Sequence, residues 1–357
     1  MKKTLLFLSI AAMMLAVGCK KEDENGNKET ANVKAFAYLL HEGGQDANNA
    51  SLSMFTADET LTNNFFANKN GRPLGALAQD IIQYGSKIYI TVSGSGTIEV
   101  IDAATGSSVK QITLGNSYPR YLTADGGKIY ASCYYPRSVV RIDTASFDVE
   151  ASCPLSGLNP EGICIAGGNI YVCNSYVQNE DNSFSYDSTL SVVSLATFTE
   201  TERVKISLNP QQVIALDNGK LVVSYSGDNI MNPSGIAIYD PATATAVHAT
   251  GFPVIGITVN GNTIYAYGSA YDENWNPTPA INTINIATLE VNPFVSTATS
   301  QIKTPYGMSV NPATGNLYIA DATDYTTNGD LYCINPDGTL VWKKETSILP
   351  KKMCFVK

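Results

Sequence analysis

Apolar residues alternate with polar ones in short runs along most of the chain, and corners rich in Gly, Asp and Asn interrupt them. A period of two is the signature of strands, and corners of that composition supply the turns between them. One segment recurs: a Pro, two variable residues, an apolar alternation, a Gly-bearing turn, then Ile-Tyr or a close variant. Its copies are RPLGALAQDIIQYGSKIYIT (72–91), YPRYLTADGGKIYAS (118–132), NPEGICIAGGNIYVC (159–173), NPQQVIALDNGKLVVS (209–224), FPVIGITVNGNTIYAY (252–267) and TPYGMSVNPATGNLYIA (304–320). LPKKMCFVK (349–357) begins a seventh. The prolines Pro73, Pro119, Pro160, Pro210, Pro253, Pro305 and Pro350 are on average about 46 residues apart, within the roughly 40–50 residues of a four-stranded propeller blade.

Each unit continues into a second hairpin, as in TIEVIDAATGSSVKQITL (97–114) and SVVRIDTASFDVEAS (138–152). The unit therefore reads as four antiparallel strands, A to D. The first, FAYLLHEGG and onward (36–66), lacks strand A, and the last stops at strand A. The two fragments complete one blade, which removes the open edges a linear array would expose. The pattern thus predicts an all-β, seven-bladed β-propeller over 35–357, closed by its C-terminal strand.

The A–B turns are minimal, whereas the B–C connections are long: 41–50, 133–138, 174–188, 225–235, 268–282 and 321–330. Insertions on one face of a repeat array mark a binding face. These loops carry Tyr134, Tyr135, Arg137, Tyr176, Phe184, Tyr186, Tyr225, Tyr271, Trp275 and Tyr325, with amides such as Asn174, Gln178, Asn179, Asn182, Asn229, Asn232, Asn274 and Asn276. The D–A corners add Arg72, Tyr118, Arg120, Glu161, Gln211, Gln212 and Tyr306. Rigid aromatics beside amides suit a ligand with a broad apolar face and a polar edge.

Composition removes several alternatives. Charged residues are 15% of the chain and the net charge is −9, which argues against a nucleic-acid partner. Only two histidines occur, His41 and His248, leaving little material for a His-rich metal site or a Ser-His-Asp triad. There is no Gly-x-Ser-x-Gly elbow and no Asp-x-Asp-x-Asp-Gly loop. Asp321, Asp324 and Asp330 share one loop and read as solvated or capping carboxylates. No catalytic residue and no metal site is expected.

The N-terminus reads as an address. Lys2 and Lys3 precede a 13-residue apolar run (5–17), too short to span a bilayer, which needs about 20 residues. It ends in Leu-Ala-Val-Gly-Cys19, which resembles a bacterial lipobox, so 1–18 is expected to be a lipoprotein signal peptide and Cys19 the lipidated residue. Residues 19–34 read as a flexible tether. Their Lys-Lys-Glu-Asp-Glu run (20–24) resembles signals that send lipoproteins to the outer face of the outer membrane. The remaining cysteines, Cys133, Cys153, Cys164, Cys173, Cys333 and Cys354, form no Cys-x-x-Cys pair and are expected as buried free thiols. Cys164 and Cys173 flank one hairpin, where a Gly168-Asn169 turn would set them opposite each other and a disulfide would be allowed.

The segment TPYGMSVNPATGNLYIADATDYTTNGDLYCINPDGTLV (304–341), with LHEGG (40–44), RPLGALAQ (72–79) and YPRYL (118–122), resembles the YncE-like, DUF5074-type surface lipoproteins. These are seven-bladed propellers, and the BtuG-type members capture cobalamin and pass it to a TonB-dependent outer-membrane transporter. The resemblance implies a lipid-anchored, cell-surface protein that takes a corrinoid as transported ligand, with no cofactor of its own. The expected ligand contacts are Tyr134, Tyr135, Arg137, Tyr176, Tyr186, Tyr225, Trp275, Tyr325, Arg120 and Tyr306. The alternatives are a scaffold or adhesin that binds a protein or glycan on the same face, and, with less support, a propeller lactonase or lyase.

Overall fold

The computed structural model describes residues 34–357, except 45–46, 229–230, 272, 274–276, 295 and 297. Seven four-stranded antiparallel sheets form the blades of a propeller. The inner A strands of blades 2 to 7 are Ala78–Tyr84, Pro119–Asp125, Pro160–Ala166, Pro210–Ala215, Gly256–Asn260 and Pro305–Val310. In blade 1 the C-terminal strand Pro350–Phe355 pairs with Ala35–His41, which continues to Ser51–Thr56 and Leu61–Thr62. One short helix, Phe65–Asn70, lies in the link from blade 1 to blade 2.

The core lies between the blades. Strands are packed on both faces, so alternate residues of one strand serve two interfaces. In the B strand Lys87–Val92, Ile88, Ile90 and Val92 join a cluster with blade 1, whereas Tyr89 joins one with blade 3. The pattern repeats around the ring. A further cluster joins Tyr318, Ala320, Leu331 and Cys333 of blade 7 to Ala37, Leu39, Phe55 and Met353 of blade 1, and this closes the ring. The C–D corners are held by side chains that accept from the turn backbone, such as Asp143 from Ala145 and Ser146, and Asn285 from Ala287 and Thr288.

Several expectations change in detail. Five of the seven repeat prolines open an inner strand, but Pro73 and Pro253 precede theirs, which start at Ala78 and Gly256. The hairpin containing Cys164 turns at Gly167-Gly168, so Cys164 faces Tyr171 and not Cys173. Both thiols are free and buried among apolar side chains. His41 is not a loop residue. It ends its strand, is fully buried, and lies 2.8 Å from Ser53 Oγ through Nε2. Burial pushes its pKa down to about 3. In blade 6 the B–C connection 268–282 is an extended ribbon and not a loop, because Thr263–Tyr271 and Pro277–Asn285 stay paired almost to its tip.

Candidate functional site

The site begins with an irregularity of the inner strands. In six blades the pairing of strand A with strand B slips just after the first residue of strand A: Ala78, Pro119, Pro160, Pro210, Pro305 and Pro350. A β-bulge of this kind re-aims a side chain and leaves backbone groups without a ladder partner. The second residues of these strands are Gln79, Arg120, Glu161, Gln211, Tyr306 and Lys351, and they gather at the mouth of the central channel.

Side chains of the B strands satisfy the backbone that the bulge frees. The amide of Asp80 donates to Thr91 Oγ1 (2.9 Å), that of Tyr121 to Ser132 Oγ (3.1 Å), and that of Gln212 to Ser224 Oγ (3.2 Å). Two of these hydroxyls also reach into the next blade. Thr91 Oγ1 donates to the Arg120 carbonyl at 2.7 Å, and Ser132 Oγ donates to the Glu161 carbonyl at 2.6 Å. Tyr267 OH does the same for the Tyr306 carbonyl at 3.2 Å. The mouth residues are thus anchored from the neighbouring blade. Where Gly follows instead, at Gly162 and Gly307, the next inner strand passes too close for a side chain. An added Cβ would lie 2.7 Å from Gln211 O and 1.5 Å from Lys351 O, respectively.

Two acid–base groups sit at the mouth. Around Glu42, both carboxylate oxygens are taken: Gln79 Nε2 donates to Oε1 at 2.5 Å, and Lys351 Nζ (2.9 Å) and the Tyr306 hydroxyl donate to Oε2. Burial alone would raise the pKa of Glu42. The Lys351 ammonium and the hydrogen bonds from Tyr306, Lys351 and Gln79 outweigh it and hold the carboxyl below its ordinary value. Burial, and then the same carboxylate, push the Tyr306 and Tyr267 phenols up. On the other side, Arg120 Nε donates to Glu161 Oε2 at 2.9 Å. Burial opposes the Arg120 charge, yet Glu161 holds its pKa above the ordinary value. Below the mouth, Lys352 Nζ meets Asp80 Oδ1 at 2.5 Å, and Asp80 Oδ2 accepts from Leu122 N at 2.9 Å. The channel encloses a cavity of about 400 Å³, lined by inner-strand residues of all seven blades, among them Tyr121, Gln212, Ile257, Met308 and Lys351.

The exposed aromatic rings are not spread evenly around the mouth. Tyr118, Tyr134 and Tyr135 of blade 3, and Tyr176, Phe184 and Tyr186 of blade 4, crowd one sector. In blade 3, Tyr134 N donates to Tyr118 O at 2.9 Å, Tyr118 N donates to Tyr135 O at 3.0 Å, and the Tyr118 and Tyr134 rings lie 6.3 Å apart. In blade 4 the B–C connection folds into a two-stranded ribbon, Tyr176–Gln178 with Phe184–Tyr186. Alternation puts its three rings on one side, 5.5–6.2 Å apart. Tyr325 of blade 7 packs on Tyr306 at 5.8 Å.

The structure therefore brings Arg120, Tyr134, Tyr135, Arg137, Tyr176, Tyr186, Tyr306 and Tyr325 to the long-loop end of the propeller. Tyr225 does not belong with them. It is 2% exposed, ends the B strand Leu221–Tyr225, and packs in the core between blades 4 and 5. Cys19, Trp275, Asn229, Asn274 and Asn276 lie outside the described residues. The three loop carboxylates of blade 7 go to separate partners: Asp321 accepts from Lys303 N, Thr304 N and Thr323 N, Asp324 accepts from Thr326 N and Thr327 N, and Asp330 pairs with Lys343. Sequence reasoning missed Glu42, Gln79, Lys351 and Tyr121. The signal was present in the repeat: Ile-Tyr-x-Thr, Ile-Tyr-x-Ser and Ile-Tyr-x-Tyr place the hydroxyl that supports a bulge at Thr91, Ser132 and Tyr267.

No protein-family model and no curated protein matches this chain. Many solved structures do. A quinonprotein alcohol dehydrogenase-like protein of Bacteroides thetaiotaomicron superposes with a TM-score of 0.66 at 15% identity, covering 91% of this chain and 79% of that one. A putative 6-phosphogluconolactonase of Bacteroides uniformis does so at 0.60 and 13% identity, covering 91% and 100%. A streptogramin B lyase reaches 0.55 at 14% identity, over 76% and 83%. At such identities the likeness speaks for the propeller fold alone.

Proposed function

We propose that this protein is a binding protein of the outer-membrane surface, lipid-anchored through Cys19, and that it captures a corrinoid such as cobalamin for a TonB-dependent transporter. The observation that carries the reading is the crowd of exposed Tyr and Phe on blades 3 and 4 beside a mouth of amides and paired charges. A corrin offers an apolar face to such rings and an amide-bearing rim to such a mouth. The resemblance of the sequence to the BtuG-type lipoproteins supports the same ligand class. A binding role, not hydrolysis, fits the histidines: His41 is buried on Ser53, and His248 lies on the outer strand Thr245–Thr250 against Tyr225. Calorimetric titration of cyanocobalamin into residues 34–357 tests the reading. We expect saturable binding that weakens at least tenfold in a Tyr134→Ala, Tyr135→Ala double variant. No heat and no thermal shift at a large ligand excess would overturn it in favour of a scaffold or adhesin.

A further inference from the structure

The two acid–base groups at the mouth differ in how much hydrogen-bonding capacity they leave open. Around Glu42 the carboxylate is consumed by three donors on three blades. Arg120 and Glu161 share a single bond, from Nε to Oε2. Among the described residues, no partner takes the two terminal guanidinium nitrogens or Glu161 Oε1. Their backbones are anchored from the neighbouring strands, by Thr91 Oγ1 at the Arg120 carbonyl and by Ser132 Oγ at the Glu161 carbonyl. Its position is equally specific. Arg120 lies two residues from Tyr118, and Glu161 is the second residue of the inner strand of the blade that carries the Tyr176, Phe184 and Tyr186 ribbon. An open donor and an open acceptor thus stand side by side between the two aromatic groups.

We infer that the Arg120–Glu161 pair is the polar specificity site of this face, and that it recognises a neutral primary carboxamide arm of the captured ligand. The carboxamide oxygen accepts from the Arg120 guanidinium while its NH₂ donates to Glu161 Oε1, so both open functions are used at once. A carboxylate in the same place would keep the first contact but set its second oxygen against Glu161. The two lysines of the channel offer a carboxylate no compensation, because Lys351 is already matched by Glu42, and Lys352 by Asp80. A buried acceptor facing an acceptor is unpaired, the circumstance in which a site discriminates most sharply between polar analogues. The inference rests on the corrinoid reading above, since the rim of a corrin carries such arms.

The test uses the full chain in detergent, with cyanocobalamin and its monocarboxylic acid derivatives, each having one rim amide hydrolysed, as probes. For the wild type we expect at least one derivative to bind tenfold or more weakly than cyanocobalamin. In Glu161→Gln that ratio should fall to about threefold or less, because Gln can donate to the acid. In Arg120→Lys, affinity for cyanocobalamin should fall at least fivefold, since an ammonium cannot reproduce the guanidinium fork. A ratio between two ligands on one protein does not move with a general loss of stability. Wild-type binding with equal affinity for amide and acids, or a ratio unchanged in Glu161→Gln, would overturn this inference and leave the capture role standing. No binding of any corrinoid would overturn the capture role, and this inference with it.

Discussion

Ser132 is fully buried and supports the mouth from behind, so removing its hydroxyl is a sharp test of how the bulges are held. Its Oγ accepts from Tyr121 N in its own blade and donates to the Glu161 carbonyl in the next. Ser132→Ala removes both hydrogen bonds at once and leaves Tyr121 N and the Glu161 carbonyl without this partner. An orphaned buried donor or acceptor costs about 1–3 kcal/mol, so we expect a loss of roughly 2–4 kcal/mol. Ser132→Cys should fall between Ala and wild type, because a thiol is a weaker partner; blade 4 carries Cys173 at the equivalent position. Equilibrium urea unfolding followed by Tyr fluorescence reads the change as a shift in midpoint at constant slope. If Ser132→Ala unfolds within about 0.5 kcal/mol of wild type, the range of an ordinary surface change, the bulge backbone does not depend on this hydroxyl and the support scheme is wrong.

Removing 350–357 takes away the inner strand of blade 1 together with Lys351, Lys352 and Met353, and exposes the edge of Ala35–His41; size-exclusion chromatography should show aggregation, and a truncation that stays monomeric with an unchanged melting temperature would contradict the closure. The carboxyl of Glu42 is held below its ordinary value, so its contribution is fully present above its unfolded pKa, near 4.5, and is lost as pH falls through the lower folded value. Glu42→Gln should therefore destabilise the protein at pH 7, by up to about 3 kcal/mol as one partner of a largely buried pair, and the gap in urea midpoint should close towards pH 3. His41 runs parallel as a base: its pKa is pushed down to about 3 by burial, so stability should fall as pH drops below 6.5 towards that value, and His41→Gln should flatten this part of the profile. Burial pushes the Cys164 thiol up to about 12 and raises that of Cys173 well above its ordinary value; Ellman titration of the native protein at pH 8 should leave both unreacted, with full reaction only in denaturant.

Much of the architecture follows from one-dimensional pattern. A period of two, a Pro–Gly–Ile-Tyr repeat and its fragments at the two ends determine the strand content, seven blades, the closing strand and the face that carries the long loops. These properties depend on local propensity and on how often the pattern recurs, and both are written along the chain. Which side chains meet was decided only in three dimensions. Tyr225 is a loop-edge aromatic by sequence, but the B strand continues through it and turns its ring into the core. Cys164 and Cys173 flank one turn, but Gly167-Gly168 shifts the register and sets Cys164 against Tyr171. Most of the mouth was hidden for the same reason. Glu42, Gln79, Lys351 and Tyr306 come from blades 1, 2 and 7, more than 250 residues apart at the extremes, and meet only because the ring closes. The side chains of Gln79, Tyr306 and Lys351 reach the channel at bulges of the inner strands. Register and ring closure are set by the sum of many inter-blade contacts, so no single stretch of sequence carries them.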